Sequence, residues 1–210
     1  MYIKIDGIRV SYETIGSGKP LLMIHGFGVD STVMKGALEP VFKRINGFKR
    51  IYFDLPGMGK TTDTIGIRNA DDMLTLIMDF TEKILPGKAF SAVGYSYGGY
   101  LARGLLKKAT EKIEGLFLLC PVIYPRKKDR DLPAHKVIEA EPGLGKYQHK
   151  RKAFEEFAKN VVIQTEYTWK RYLKEFYSGI TESNREFMSR FYRDGYSFSF
   201  DPDEMETVYR

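Results

Sequence analysis

Cysteine is nearly absent. Cys120 is the single one in 210 residues, so no disulfide can form within the chain, which fits a reducing cytoplasm better than a disulfide-stapled secreted scaffold. Cys120 closes an apolar run and reads as a small buried hydrophobe. Histidine is also scarce, with three in the chain, scattered at positions 25, 135 and 149. With one cysteine beside them, no zinc-type cluster is expected, and no cofactor. No apolar stretch approaches the roughly 20 residues a membrane-crossing helix needs. The N-terminus, Met1 to Asp6, is mixed in character and lacks the hydrophobic core of a signal peptide. A membrane partner is therefore not expected. Internal repeats and low-complexity segments are missing as well.

What is present is the composition of an ordinary globular protein, 43% hydrophobic and 29% charged. The length suits one domain, or a core carrying an insertion. The net charge of +6 is spread along the chain, and no segment forms a basic arm, so nucleic acid is not an expected partner. The tightest basic cluster is Arg126, Lys127, Lys128 and Arg130 around Asp129. It reads as a solvated loop, with an anion-binding patch as the alternative.

Residues 2–6 and 8–13 alternate around Gly7 as a β-hairpin does. Residues 21–24 are a short all-apolar run, the mark of a strand buried on both faces, 50–53 and 90–93 read as further strands, and 115–119 as another buried one. Helices are expected between them: across 32–45 with a break near Pro40, after Asn69 as cap, and over 97–108. This alternation predicts an α/β fold, a mostly parallel sheet with helices on both faces. Ligands in such sheets bind beyond the carboxyl ends of the strands. From Pro121 the character changes. Residues 121–200 carry helical patterns over 153–162, 166–177 and 184–193. Sixteen of the 29 aromatic residues fall in the last 90 positions. That density suits a helix-packing core, and equally an aromatic lining over a site.

Three motifs carry chemistry. Gly94-Tyr95-Ser96-Tyr97-Gly98 has the form G-x-S-x-G, set after a strand and before a helix. A turn that sharp excludes side chains two positions either side of the serine. The hydroxyl then stands proud as a nucleophile, and the Tyr97 N–H points where an oxyanion develops. The plainer alternative is Ser96 as the N-cap of helix 97–108. His25-Gly26-Phe27-Gly28 follows the strand at 21–24, and its tight turn could offer the Phe27 N–H as second oxyanion donor. His25 is expected to shape that loop through hydrogen bonds rather than to act as the base. Gly59-Lys60-Thr61 has the end of a phosphate loop but lacks its first glycine, since Asp54 stands there; nucleotide binding is not expected.

Taken together, the glycine-flanked loop at 25–28, the tract Asp54-Leu-Pro-Gly-Met-Gly-Lys-Thr61 and the elbow at 94–98 resemble the α/β-hydrolase superfamily, in its serine branch with a helical cap. The resemblance implies a core over 1–120, a cap over 121–200 and a return toward the core over 201–210. It implies Ser96 as nucleophile, Phe27 and Tyr97 as oxyanion donors, and His25, Gly26, Gly28, Gly94 and Gly98 as residues that shape the site. The substrate would be a small, apolar ester or carbonyl compound hydrolysed by an esterase-like mechanism. A C–C bond hydrolase and a non-catalytic binding protein are the alternatives. Ser96 argues against epoxide and haloalkane chemistry, which the family runs from an aspartate. The family order is serine, then acid, then histidine. Here two strand–helix units, with the acid and the histidine, are expected to be missing by truncation. His135 and His149, and Asp129, Asp131 or Asp201, are weak substitutes on sequence grounds. The strand at 115–119 would then be an open apolar edge through which copies of the chain could pair.

Overall fold

The computed structural model describes residues 1–200. The expected return over 201–210, Asp201 included, lies outside the described residues. A six-stranded sheet runs in the order β1-β2-β4-β3-β5-β6. Its strands are β1 (Tyr2–Ile5), β2 (Ile8–Ile15), β3 (Lys19–Ile24), β4 (Phe48–Phe53), β5 (Phe90–Tyr95) and β6 (Ile113–Leu119). The hairpin pair and the β2–β4 pair are antiparallel, and β4, β3, β5 and β6 are mutually parallel. The buried stretches of the parallel strands, residues 21–24, 51–53 and 92–93, are apolar, because a strand covered on both faces needs no polar alternation.

Helices α1 (Ser31–Phe42), α2 (Ala70–Ile84) and α3 (Tyr97–Lys108) connect the strands. The Asp30 carboxylate accepts from the Thr32 N–H at 2.8 Å and caps α1, and Asn69 accepts from Asp72 N–H at 3.0 Å and caps α2. One core cluster gathers Leu22, Ile24, Phe53, Ile77, Phe80 and Leu101 beneath α2 and α3, and another gathers Met23, Val33, Met34 and Tyr52 beneath α1. The sheet is therefore covered on both faces, as expected.

Helix α1 runs unbroken through Pro40, where a break was expected. A proline at that position has no N–H to give the carbonyl four residues back, which is Gly36 O. That carbonyl instead accepts from Arg171 Nη2 at 3.0 Å, so the lost helix bond is replaced from outside the helix.

Beyond β6 come a two-stranded parallel ribbon, β7 (Glu139–Ala140) with β8 (Ile163–Gln164), and the helices α4 (Arg151–Asn160), α5 (Glu166–Arg171), α6 (Ser178–Glu182) and α7 (Arg185–Asp194). A π-helical turn, Tyr172–Tyr177, joins α5 to α6. Packing splits this stretch in two. Leu144, Ala153, Phe157, Trp169 and Tyr172 form a cluster of their own. Phe187 and Phe191 of α7, with Tyr196 and Phe198, belong instead to the cluster of the sheet. Residues 185–198 are thus part of the core by packing, although they follow the helical stretch in sequence.

Strand β6 pairs only with β5 among the described residues, and its Phe117 is 56% exposed. Cys120 is exposed rather than buried. The apolar run that suggested burial belongs to an edge strand, and Cys120 lies just past its end in a left-handed conformation, φ +45°.

Candidate active site

The carboxyl ends of β3 and β5 bring two of the three motifs together. Ser96 sits between β5 and α3 with φ +52° and ψ −116°, a conformation that costs a residue with a side chain about 1–3 kcal/mol. Four hydrogen bonds hold it there. Its N–H donates to Leu119 O at 3.0 Å, and its carbonyl accepts from Gly99 N–H at 3.0 Å, Tyr100 N–H at 3.3 Å and Val122 N–H at 3.0 Å. The turn is riveted both to its own helix and to the end of β6.

Glycine is required on either side by space. A Cβ on Gly94 would lie 2.5 Å from Gly98 O, and one on Gly98 would collide with the carbonyl of Ile24. The second contact matters most, since it shows the helix start pressed against the end of β3, from which the 25–28 loop departs. A Cβ on Gly26 would lie 3.2 Å from Ser96 Cβ. The two loops are therefore in van der Waals contact at the serine. The Ser96 side chain makes no capping bond to α3, so the N-cap alternative fails. The N–H of Tyr97 opens α3, where helix N–H groups lack internal partners and the dipole is positive. No hydrogen bond takes the Phe27 N–H among the described residues.

His25 is fully buried, with its Nδ1 2.7 Å from Gly26 O and its Nε2 accepting from Leu55 N–H at 2.9 Å. Nε2 accepts, so the proton sits on Nδ1 and the ring is neutral. Burial pushes its pKa below the usual imidazole value, against opposing pulls from Asp54, the Gly26 bond and Asp30. Both ring nitrogens are engaged with backbone, and neither is available to Ser96. The glycine-rich loop grips the same turn a second time, because Gly28 N–H donates to Met58 Sδ at 3.4 Å. Asp54 is buried and accepts from Ser31 N–H at 2.9 Å and Lys60 N–H at 3.0 Å. Lys60 is thus bound through its backbone within the loop. His135 and His149 are exposed, and His149 Nδ1 lies 2.8 Å from Lys146 O. Asp129 is paired with Arg126 at 2.6 Å. No side chain hydrogen-bonds the Ser96 hydroxyl among the described residues, and no group of three or more His, Cys, Asp or Glu is placed to hold a metal among them.

The 121–200 stretch approaches this site through aromatic rings. Phe176 meets Tyr95 edge-on at 6.3 Å and stacks on Tyr172 at 6.2 Å. These three line a cavity of about 430 Å³ next to the elbow, with Arg171 and Glu175 also in its wall. The π turn places Glu175 against α1. Arg171 Nε donates to its two oxygens at 2.9 and 3.1 Å, and Nη2 donates to Oε2 at 2.6 Å. A Cβ on Gly36 would lie 2.5 Å from Glu175 Oε2, so Gly36 makes room for the carboxylate. Sequence reasoning missed this clamp and the Met58 bond. The available signals were a glycine and a proline at i, i+4 inside a helix, and an Arg–Glu pair at the same spacing within an aromatic stretch.

Residues 19–198 match the family described as alpha/beta hydrolase fold. The chain belongs to the α/β hydrolase family. It is 30% identical to an alpha/beta superfamily hydrolase from Oenococcus oeni PSU-1, whose crystal structure superposes with a TM-score of 0.83 over 94% of this chain and 72% of that one. A pimeloyl-[acyl-carrier protein] methyl ester esterase of Nitrosomonas europaea is 34% identical over 110 residues, which are 52% of this chain and 40% of that protein. An esterase from Exiguobacterium antarcticum shares the fold at a TM-score of 0.66 and 20% identity, over 92% of this chain and 73% of that one. The matched part thus amounts to well under half of the curated esterase. Among the described residues, no helix is long and apolar enough to cross a membrane.

Proposed function

We propose that this hydrolase-family chain supplies the nucleophile and the oxyanion donors of a serine esterase acting on a small, apolar ester or carbonyl substrate. The observation that carries the reading is Ser96 itself, held at φ +52° on a strand-to-helix turn in contact with the 25–28 loop. Such a strained position persists only where the surroundings enforce it, and strain of this kind gathers at reactive sites. Ser96 Oγ attacks the carbonyl carbon, the Phe27 and Tyr97 N–H groups hold the developing oxyanion, and the alcohol leaves to give an acyl-enzyme that water hydrolyses. His25, Gly26, Gly28, Gly94 and Gly98 fix the shape of these loops. The acyl group lies in the aromatic cavity of Tyr95, Tyr172 and Phe176, with residues 121–182 as cap. Esterase names among the relatives favour ester over C–C cleavage.

A serine hydroxyl is a weak nucleophile without a base. Labelling with a fluorophosphonate, read by intact mass, therefore asks whether a base reaches Ser96. Labelling of the folded chain that disappears in Ser96→Ala supports the esterase reading. A folded chain that stays unlabelled refutes it and leaves the binding-protein reading. The single cysteine fits a cytoplasmic setting. The edge of β6, unpaired among the described residues and with Phe117 exposed, is where a second copy would pair; sedimentation that stays monomeric at high concentration rules that out.

A further inference from the structure

We propose that the cleft between the loop after β6 and the end of α7 binds a small organic anion, a carboxylate or phosphate carried on a short apolar body. The cleft holds about 430 Å³, with Arg126 and Lys127 on one wall, Arg193 and Asp194 on the other, and the rings of Tyr192 and Tyr196 between them. That volume suits a small-molecule ligand.

Three cations share the cleft with two carboxylates, Asp194 in its wall and Asp129 paired with Arg126. The ion pairs steady the guanidinium groups without using them up. Arg126 engages Asp129 through Nε at 2.6 Å, and its terminal nitrogens make no hydrogen bond among the described residues. Arg193 is bidentate to Asp194, through Nε at 2.9 and 3.2 Å and Nη2 at 2.9 Å, and its Nη1 makes no hydrogen bond among the described residues. Lys127 forms no ion pair among the described residues. The wall is stiffened from behind, because Arg130 donates to Tyr124 O and Pro125 O, each at 2.7 Å. The basic cluster is therefore a shaped edge rather than a loose run of charge. The two tyrosine rings meet edge-on at 4.9 Å and supply an apolar floor beside the cations. An anion attached to a ring or short chain fits this combination, since guanidinium and ammonium groups take the charge and the rings take the body.

The cleft also adjoins the proposed catalytic loops. Phe27 packs against Tyr196 at 5.1 Å and Tyr192 at 6.2 Å. The loop carrying Arg126 begins at Val122, whose N–H donates to Ser96 O at 3.0 Å. The anion is accordingly either one limb of the substrate or a separate ligand beside it.

The test titrates the full chain with phenylphosphonate and with inorganic phosphate, followed by ¹H–¹⁵N NMR, which also reports folding. Phenylphosphonate is expected to bind roughly tenfold tighter than phosphate. The double variant Arg126→Glu, Lys127→Glu should weaken both at least tenfold, and Tyr192→Leu should weaken phenylphosphonate alone. Equal affinity of the two probes, or titration of the charge-reversed variant like the parent, overturns the proposal. None of this needs a reactive Ser96, so it can fail while the esterase reading stands. Fluorophosphonate labelling under saturating phenylphosphonate separates the two sources. Protection marks a substrate limb, and an unchanged rate marks a separate ligand.

Discussion

Replacing Arg171 by methionine should unlatch residues 166–177 from α1. The guanidinium performs two tasks, neutralising Glu175 and satisfying the carbonyl that Pro40 leaves open at Gly36. Glu175 is 10% exposed and Arg171 38%. Removing one partner of a fully buried pair costs about 3–5 kcal/mol. The exposure of Arg171 lets water reach the abandoned carboxylate, so we discount that to about 1–2 kcal/mol. The open carbonyl adds about 1 kcal/mol, and methionine retains the apolar stem. The expected loss is about 2–3 kcal/mol, or roughly 4–12 °C in Tm for a chain of this size. The sharper test is a double-mutant cycle with Pro40→Ala, whose new N–H can bond Gly36 O within the helix. In that background Arg171→Met should cost about 1 kcal/mol less. Urea denaturation of the four proteins measures both terms. A loss below about 0.5 kcal/mol, or the same loss in both backgrounds, would refute the claim that Arg171 substitutes for the missing helix bond.

Three further outcomes follow from the elbow and its neighbours. Ser96→Gly relieves the positive φ, so it should raise stability by about 1 kcal/mol while abolishing fluorophosphonate labelling; a less stable variant would argue against strain at the turn. The Tyr97 hydroxyl is buried and has no partner among the described residues. Tyr97→Phe should therefore be neutral to stabilising by about 1 kcal/mol, with labelling of Ser96 unchanged because the backbone donor remains; a fall in Tm would reveal an unseen partner. His25 has a lowered pKa in the folded state. The unfolded chain takes up a proton below about pH 6.5 that the native ring resists, so stability is present above that pH and is lost as pH falls through the window below it. A plot of unfolding free energy from pH 7 to 5 should be flatter for His25→Asn than for the parent, and parallel slopes would contradict the neutral, doubly bonded ring.

The central sheet could be read from sequence because burial on both faces leaves a signature within each strand. Residues 21–24 and 51–53 are apolar throughout and became the carboxyl ends of β3 and β4, and 90–93, interrupted only by Ser91, opened β5. The elbow was legible for a related reason, since the steric limits at Gly94 and Gly98 operate across five consecutive residues. Cys120 misled because the same apolar signature occurs at an edge, where only a neighbouring strand decides what is covered. The Arg171–Gly36 bond joins residues 135 apart, and no local pattern announces such a partner. The same holds for α7, whose Phe187 and Phe191 have ordinary helical spacing. Only the fold shows that Phe191 faces Phe27 and Tyr97, and Phe187 the turn at Gly57, rather than the aromatic cluster around Trp169.

Pro40 and Gly36 acquire a shared meaning once the clamp is seen. An interior proline costs a helix about 3 kcal/mol, and a glycine there costs about 1 kcal/mol against alanine. Read locally, the two are defects in α1. Together they create an unpaired carbonyl and a shallow seat beside it, on the helix face turned toward residues 171–175. The arginine fills the first and the glutamate the second, and the π turn between α5 and α6 lets Glu175 face α1 while Phe176 faces Tyr95. Local helix stability is thus exchanged for a polar lock with directional demands that simple apolar packing lacks. Because Phe176 lies one residue from Glu175, the lock also sets how far the aromatic wall stands from the serine. A change at Gly36, remote from Ser96 in sequence, should therefore reshape the cavity before it affects the elbow.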